Sequence, residues 1–135
     1  MCGRFVLSNF TDVKGFHNVL IEPSYNIAPS HCTLILNQEM RPDFLEWGYS
    51  PIWAKKPMNL INAKYESLDI KPSFSDYETC VFVADGWFEW QKNSRGEKHP
   101  IFIHADNEIF YFAGIKNASG AAIVTIDAHP SLANI

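Results

Sequence analysis

The chain has 135 residues, 47% apolar and 19% charged, which excludes a disordered or fibrous protein and suits one domain rather than two separate cores. Its formal net charge of −4 argues against a non-specific nucleic-acid coat but leaves room for a local groove. No stretch reaches the roughly 18 consecutive apolar residues of a membrane-spanning helix, and the opening MCGRFVLSNF lacks the cationic and apolar regions of a secretory signal.

In chain order, residues 3–8 (GRFVLS) read as a short strand. Residues 11–21 carry Val13, Phe16, Val19 and Leu20 at helical spacing behind an N-cap-like Thr11. Glu22-Pro23 ends that helix, because a residue before proline avoids the α region. Strands are expected over 33–38 and 42–47, and an irregular loop over 48–60. A second helix is expected near 64–76. The apolar run 79–84 suits a buried strand, DGWFEWQK alternates as a strand, and NSRGEK is a turn. Residues 100–104 and 108–113 make a hairpin, and 121–126 are a last buried strand. The chain is thus strand-dominated α+β, and parallel crossovers are not expected, because helical segments do not alternate with strands.

Cys2, Cys32 and Cys80 are the three cysteines, with no C-x-x-C, so a reducing compartment is expected. Cys2 sits where loss of Met1 would place an amine and a thiol on one residue. Such a 1,2-aminothiol condenses with an aldehyde to an imine, and the thiol then closes a thiazolidine ring. The α-amine needs no large pKa shift for this, with its value near 7.8. Cys2 also fits a small packed hydrophobe.

Glu89, in Gly86–Trp90 (GWFEW), stands between bulky apolar side chains that would disfavour its charged form and suit it to proton transfer. It equally fits a solvent-facing strand position. In INAKYES, Asn62 can donate and accept, and Lys64 offers a point charge to phosphate. The alternative there is a helix start capped by Asn62. Pro29, in YNIAPS, would form a rigid wall or an ordinary turn. His31-Cys32 with Cys80 lacks repeated ligand spacing, so no metal is expected. WGYSPIW, Trp47 to Trp53, followed by Lys55 and Lys56, suits a single-strand groove or a core with a solvated lysine pair.

Together and in this order, MCGRF (1–5), YNIAP (25–29), WGYSPIW (47–53), INAKYE (61–66), ADGWFEW (84–90) and, more weakly, IVTIDA (123–128) resemble the SOS-response-associated peptidase family. The resemblance implies an α+β pseudo-barrel of two strand-rich sheets with a few flanking helices. It implies that Cys2, exposed by loss of Met1, crosslinks to the ring-opened aldehyde of an abasic site in single-stranded DNA. It assigns Asn62 to contact with the lesion and Glu89 to proton transfer, with Arg4, Pro29, Trp53 and Lys64 lining the DNA groove. It implies no cofactor, no membrane partner, and a cytoplasmic, nucleoid-associated location in bacteria or a nuclear one in eukaryotes.

Two departures stand out. Lys64 and Tyr65 replace the family's usual Arg and Val or Ser, and lysine cannot hold phosphate in a bidentate fork. The family's H-x-R-x-P histidine has no counterpart, since His129 is followed directly by Pro130. Residues 1–135 are therefore expected to form one domain, incomplete at its C-terminal side relative to the family. Competing readings are a thiol peptidase using Cys2 and Glu89, and a non-enzymatic reader of modified or single-stranded DNA.

Overall fold

The computed structural model describes residues 2–9, 22–106 and 108–130. The helix expected over 11–21 lies outside them. Among the described residues ten strands form two sheets: β1 (Phe5–Leu7), β2 (Ser24–Ile27), β3 (Cys32–Leu36), β4 (Pro42–Glu46), β5 (Asn62–Lys64), β6 (Glu78–Ala84), β7 (Gly86–Lys92), β8 (Lys98–His104), β9 (Phe110–Asn117) and β10 (Gly120–Thr125). The smaller sheet has the order β2-β1-β7-β8 and the larger β4-β3-β6-β9-β10-β5. Neither closes on itself.

Apolar patterning decides where each strand lies. β6 buries Cys80, Phe82, Val83 and Ala84, as befits a strand covered on both faces, and it pairs β3 on one side and β9 on the other. The core between the sheets is aromatic. Phe5 packs against Trp47 at 5.2 Å and edge-on to Phe82 at 6.2 Å, and Trp87 meets Phe112 at 5.8 Å. Burying such a side chain contributes about 1.5–3 kcal/mol.

The chain passes from one sheet to the other at Asp85, which separates β6 from β7. Asp85 is buried. Its Oδ2 accepts hydrogen bonds from the Ser8 N–H (2.7 Å), the Ser8 hydroxyl (2.8 Å) and the Asn9 N–H (2.7 Å). One carboxylate therefore fixes both the sheet-to-sheet corner and the exit of β1.

Three expectations need correction. Residues 100–104 and 108–113 form no hairpin with each other: β8 pairs with β7 in the smaller sheet, whereas β9 pairs with β6 and β10 in the larger, because an apolar run marks a strand without naming the sheet that covers it. Residues 64–76 form no α-helix but two 3₁₀ turns, Tyr65–Ser67 and Pro72–Phe74. Pro72 holds Lys71 extended, at φ −85° and ψ 129°, which breaks any helix there. A parallel ladder also exists: β5 runs beside β10, with Ile123, Val124 and Thr125 opposite Asn62, Ala63 and Lys64. β5 returns from a long excursion rather than through a βαβ unit, so helical alternation gave no sign of it.

The irregular loop over 48–60 is held by side chains. Tyr49 donates to Asp76 Oδ1 (2.8 Å), the Ile52 N–H to Asp76 Oδ2 (3.1 Å), and Asn117 Nδ2 to the same oxygen (3.2 Å). Burial pushes the Asp76 carboxyl up, but these donors outweigh it and hold it below its ordinary value. Gly120, at φ +149°, brings its backbone against the carbonyls of Glu46 and Gly48, where a Cβ would collide.

Candidate active site between the two sheets

The site is assembled from both sheets. Cys2 precedes β1, and the fully buried Phe5 anchors that strand beneath it. The Cys2 carbonyl accepts a hydrogen bond from Asn62 Nδ2 of β5 at 3.0 Å. The larger sheet thus grips the N-terminal segment of the smaller one. Glu89 comes from β7, on the same face as the core residue Trp87, because side chains two apart share a strand face. Cys2 and Glu89 line one cavity of about 300 Å³, walled by Trp87, Ile103, Phe112 and Ile123 and by Thr125 at the end of β10.

Electrostatics at the site follow from burial. The Cys2 thiol is 6% exposed and donates to the Arg4 carbonyl at 3.6 Å. Burial, partly offset by that hydrogen bond and reinforced by the Glu89 charge, pushes it up to about 11. Roughly one such thiol in ten thousand is ionised at neutral pH. Burial likewise raises the Glu89 carboxyl above its ordinary value, so its acid form persists to higher pH than that of an exposed glutamate. Asn62 Oδ1 is buried and has no hydrogen-bond partner among the described residues. An orphaned buried acceptor costs free energy, and here it belongs to the same carboxamide whose nitrogen holds Cys2.

Cys2, Asn62 and Glu89, selected from the sequence, are therefore brought together. The helix-cap alternative for Asn62 is overturned, since it lies in a strand. Of the groove candidates, Arg4 lies one residue before β1, with Nη1 donating to the Gly3 carbonyl at 2.7 Å. Lys64 ends β5, largely exposed, 3.6 Å from the Asp127 carboxylate, an exposed pair worth little. Pro29 is half-buried in the turn before β3.

The WGYSPIW block divides. Trp47 and Tyr49 are fully buried, and Trp47 Nε1 donates to the Ile61 carbonyl at 2.9 Å. Trp53 is 54% exposed, with Nε1 donating to the Pro72 carbonyl at 3.1 Å, so its ring is held yet open to solvent. Missed in the sequence were the walls Ile103, Phe112 and Thr125. Each lies in a run that reads only as buried strand, and only the packing of the two sheets shows which ends meet at Cys2.

Among the described residues, no group of three or more His, Cys, Asp or Glu side chains converges as a metal site. No described helix is long and apolar enough to cross a membrane.

Fold and site define a class: a two-sheet β protein with its second residue, a cysteine, set beside a carboxylic acid in a cleft between the sheets. The sequence pattern of the family described as SOS response associated peptidase (SRAP) matches residues 1–135. The abasic site processing protein YoqW of Bacillus subtilis is 37% identical over 133 residues, covering 85% of this chain and 59% of YoqW. The abasic site processing protein YedK of Escherichia coli is 32% identical, covering all of this chain and 72% of YedK. A crystal structure of a protein from Bacteroides thetaiotaomicron superposes with a TM-score of 0.77 over 99% of this chain and 72% of that one, at 21% identity, a likeness of fold. The chain belongs to the SRAP family. It spans 59% of the length of YoqW and 72% of YedK.

Proposed function

We propose that this protein recognises abasic sites in single-stranded DNA and forms a covalent thiazolidine crosslink to them through Cys2. The single observation that carries the reading is that Cys2 and Glu89, from separate strand regions, line one cleft, with Asn62 of a third holding the Cys2 carbonyl. Two relatives bear names that speak of abasic site processing, which supports it.

The chemistry follows from those groups. Removal of Met1 leaves Cys2 with a free α-amine. That amine attacks the C1′ aldehyde of the ring-opened sugar, and loss of one water gives an imine. The Cys2 S–H then adds across the C=N bond, sulfur to carbon and hydrogen to nitrogen, closing the five-membered ring. Glu89, its carboxyl raised above its ordinary value by burial, moves the proton between the sugar hydroxyl and ring oxygen as the sugar opens. Asn62 fixes the Cys2 carbonyl and with it the backbone that carries the reacting amine and thiol beside the lesion. Arg4, Pro29, Trp53 and Lys64 line the strand's path, with Trp53 as a stacking surface and Lys64 as a phosphate contact.

Burial of Cys2 favours this route over a thiol peptidase. A peptidase needs a ready thiolate, whereas here burial keeps the thiol protonated. The amine, not the thiolate, makes the first bond of the crosslink. Self-removal of Met1 remains part of the proposed activity, in keeping with the family's name. The protein acts without a cofactor, where DNA is exposed: the cytoplasm of a bacterium or the nucleus of a eukaryotic cell.

The test is a denaturing-gel time course with an abasic single-stranded oligonucleotide, comparing the parent with Cys2→Ala and Cys2→Ser. The parent should accumulate a band that survives denaturation without reduction, whereas Cys2→Ala and Cys2→Ser, which keep the α-amine and lack the thiol, should give an adduct only after borohydride reduction. Equal crosslinking by Cys2→Ala without reduction would remove the aminothiol mechanism.

A further inference from the structure

The β7–β8 hairpin has a second face, opposite Glu89, that the cleft does not use. Residues paired in register share a face. The outward row is therefore Gly86 with His104, Phe88 with Phe102, Trp90 with Pro100, and Lys92 with Lys98. Phe88 and Phe102 lie 5.0 Å apart, and Phe102 stacks on His104 at 5.2 Å with only 22° between the planes. Gly86 makes this possible, because a Cβ there would collide with the Phe102 ring. Phe102 is 44% and Trp90 40% exposed. Arg4 of the neighbouring segment joins Phe88 and Trp90 around an open hollow of about 230 Å³, tied in by the Phe88 N–H donating to the Arg4 carbonyl at 3.0 Å.

At the far end of the row, Lys92 and Lys98 stand directly opposite each other. Neither makes an ion pair among the described residues. Like charges facing across a strand pair are unfavourable. The nearby acid, Glu97, is held in the turn by Asn93 Nδ2 at 2.7 Å. The face thus couples open aromatic rings to cations that make no ion pair among the described residues, with Arg4 at one side and the lysine pair at the end. Same-face residues repeat every ~6.6 Å along a strand, a spacing that an extended single strand can follow.

We infer that the outer face of the β7–β8 hairpin is a second binding surface for single-stranded nucleic acid, with bases stacking on Phe102, Phe88 and Trp90 and phosphates meeting Lys92 and Lys98. It rests on the reading of the protein as a DNA-handling enzyme and extends it: the surface holds undamaged flanking strand on the face opposite Glu89, with Arg4 at the edge it shares with the cleft. Charge complementarity and exposed rings select unpaired nucleic acid, since a duplex hides its base faces and an acidic peptide has no use for the rings.

The test is equilibrium binding of undamaged oligo(dT) at several salt concentrations, read by quenching of tryptophan fluorescence. Undamaged DNA involves no covalent step, so the measurement is independent of Cys2 chemistry. The double charge reversal Lys92→Glu/Lys98→Glu, at exposed positions, should weaken binding by about tenfold or more and reduce the salt slope by about 1.4, the value for two phosphate contacts on a single strand. Phe102→Thr, a strand-compatible change, should weaken oligo(dT) binding by about tenfold, a typical stacking loss, while leaving inorganic polyphosphate binding unchanged. Unchanged affinity and salt slope in the folded charge-reversed protein would overturn the inference, as would parent affinity for polyglutamate equal to that for oligo(dT). Binding that follows these expectations in a protein that forms no abasic adduct would instead overturn the crosslinking reading alone.

Discussion

Glu89 shows how one residue's surroundings set its role. Its carboxyl lies in the cleft beside Trp87, and burial raises it above its ordinary value of about 4.3. Replacement by glutamine keeps shape and removes the proton. Glu89→Gln should slow adduct formation by tenfold or more, within the roughly 10²–10⁴ range of general acid–base catalysis, and should flatten the parent's pH–rate profile on the gel assay. The same shift carries a stability consequence. Between the unfolded and the raised folded pKa the native state holds more protons, so stability falls as pH rises through that window and stays lower above it. Glu89→Gln should therefore melt higher than the parent near neutral pH, and the gap should close below about pH 4. A variant that crosslinks at the parent rate would return Glu89 to a merely structural position.

Cys2 and Glu89 were candidates on local chemistry, an aminothiol at the second position and a carboxyl flanked by apolar residues, but each equally fitted a structural place, and the ordered sequence blocks singled them out. Asn62 was legible as a polar residue of interest, but its contact to the Cys2 carbonyl was not. That contact joins positions 60 residues apart, and nothing in local spacing encodes it.

Among elements, long strands with clear patterning, β6 through β10, are readable from alternation and apolar runs. β2 and β5 are not, having four and three residues. They owe their conformation to the strand beside them, β1 and β10. The 64–76 segment fails in the opposite way. A helix is expected there, yet Pro72 and the anchoring of Phe74 against Tyr49 at 6.0 Å give two short turns. The β6–β7 corner carries a test. ADG reads as a plain turn, but Asp85 is the only carboxylate among the described buried residues and takes three hydrogen bonds from the exit of β1. Asp85→Ala leaves those donors unmatched and should cost about 3 kcal/mol, read as a lowered denaturant midpoint. Loss of less than about 0.5 kcal/mol, the range of an ordinary surface change, would mean that water replaces the carboxylate and that the corner is set by strand pairing alone.

At the scale of the whole molecule, the proposed function carries a consequence for the strand state of the DNA. A net charge of −4 gives no general attraction to duplex, so affinity must come from local cations and exposed rings such as Trp53. Rings can stack only on bases that are free of a partner. Abasic sites in single strands should therefore crosslink faster than the same site inside a blunt duplex, by about tenfold for each stacked base lost. Equal rates on both would contradict the groove as assigned. The two sheets explain why the site exists at all. One supplies Cys2 and Glu89, the other Asn62 and the β10 wall, and the cleft is the seam between them.

The central claim is covalent capture through the amine and thiol of Cys2. Intact mass spectrometry after incubation with an abasic single-stranded oligonucleotide tests it most directly. The predicted species has the mass of the chain without Met1, plus the oligonucleotide, less one water, and it persists without reduction. A retained Met1 in the crosslinked protein, or an adduct that survives only after borohydride treatment, would contradict it.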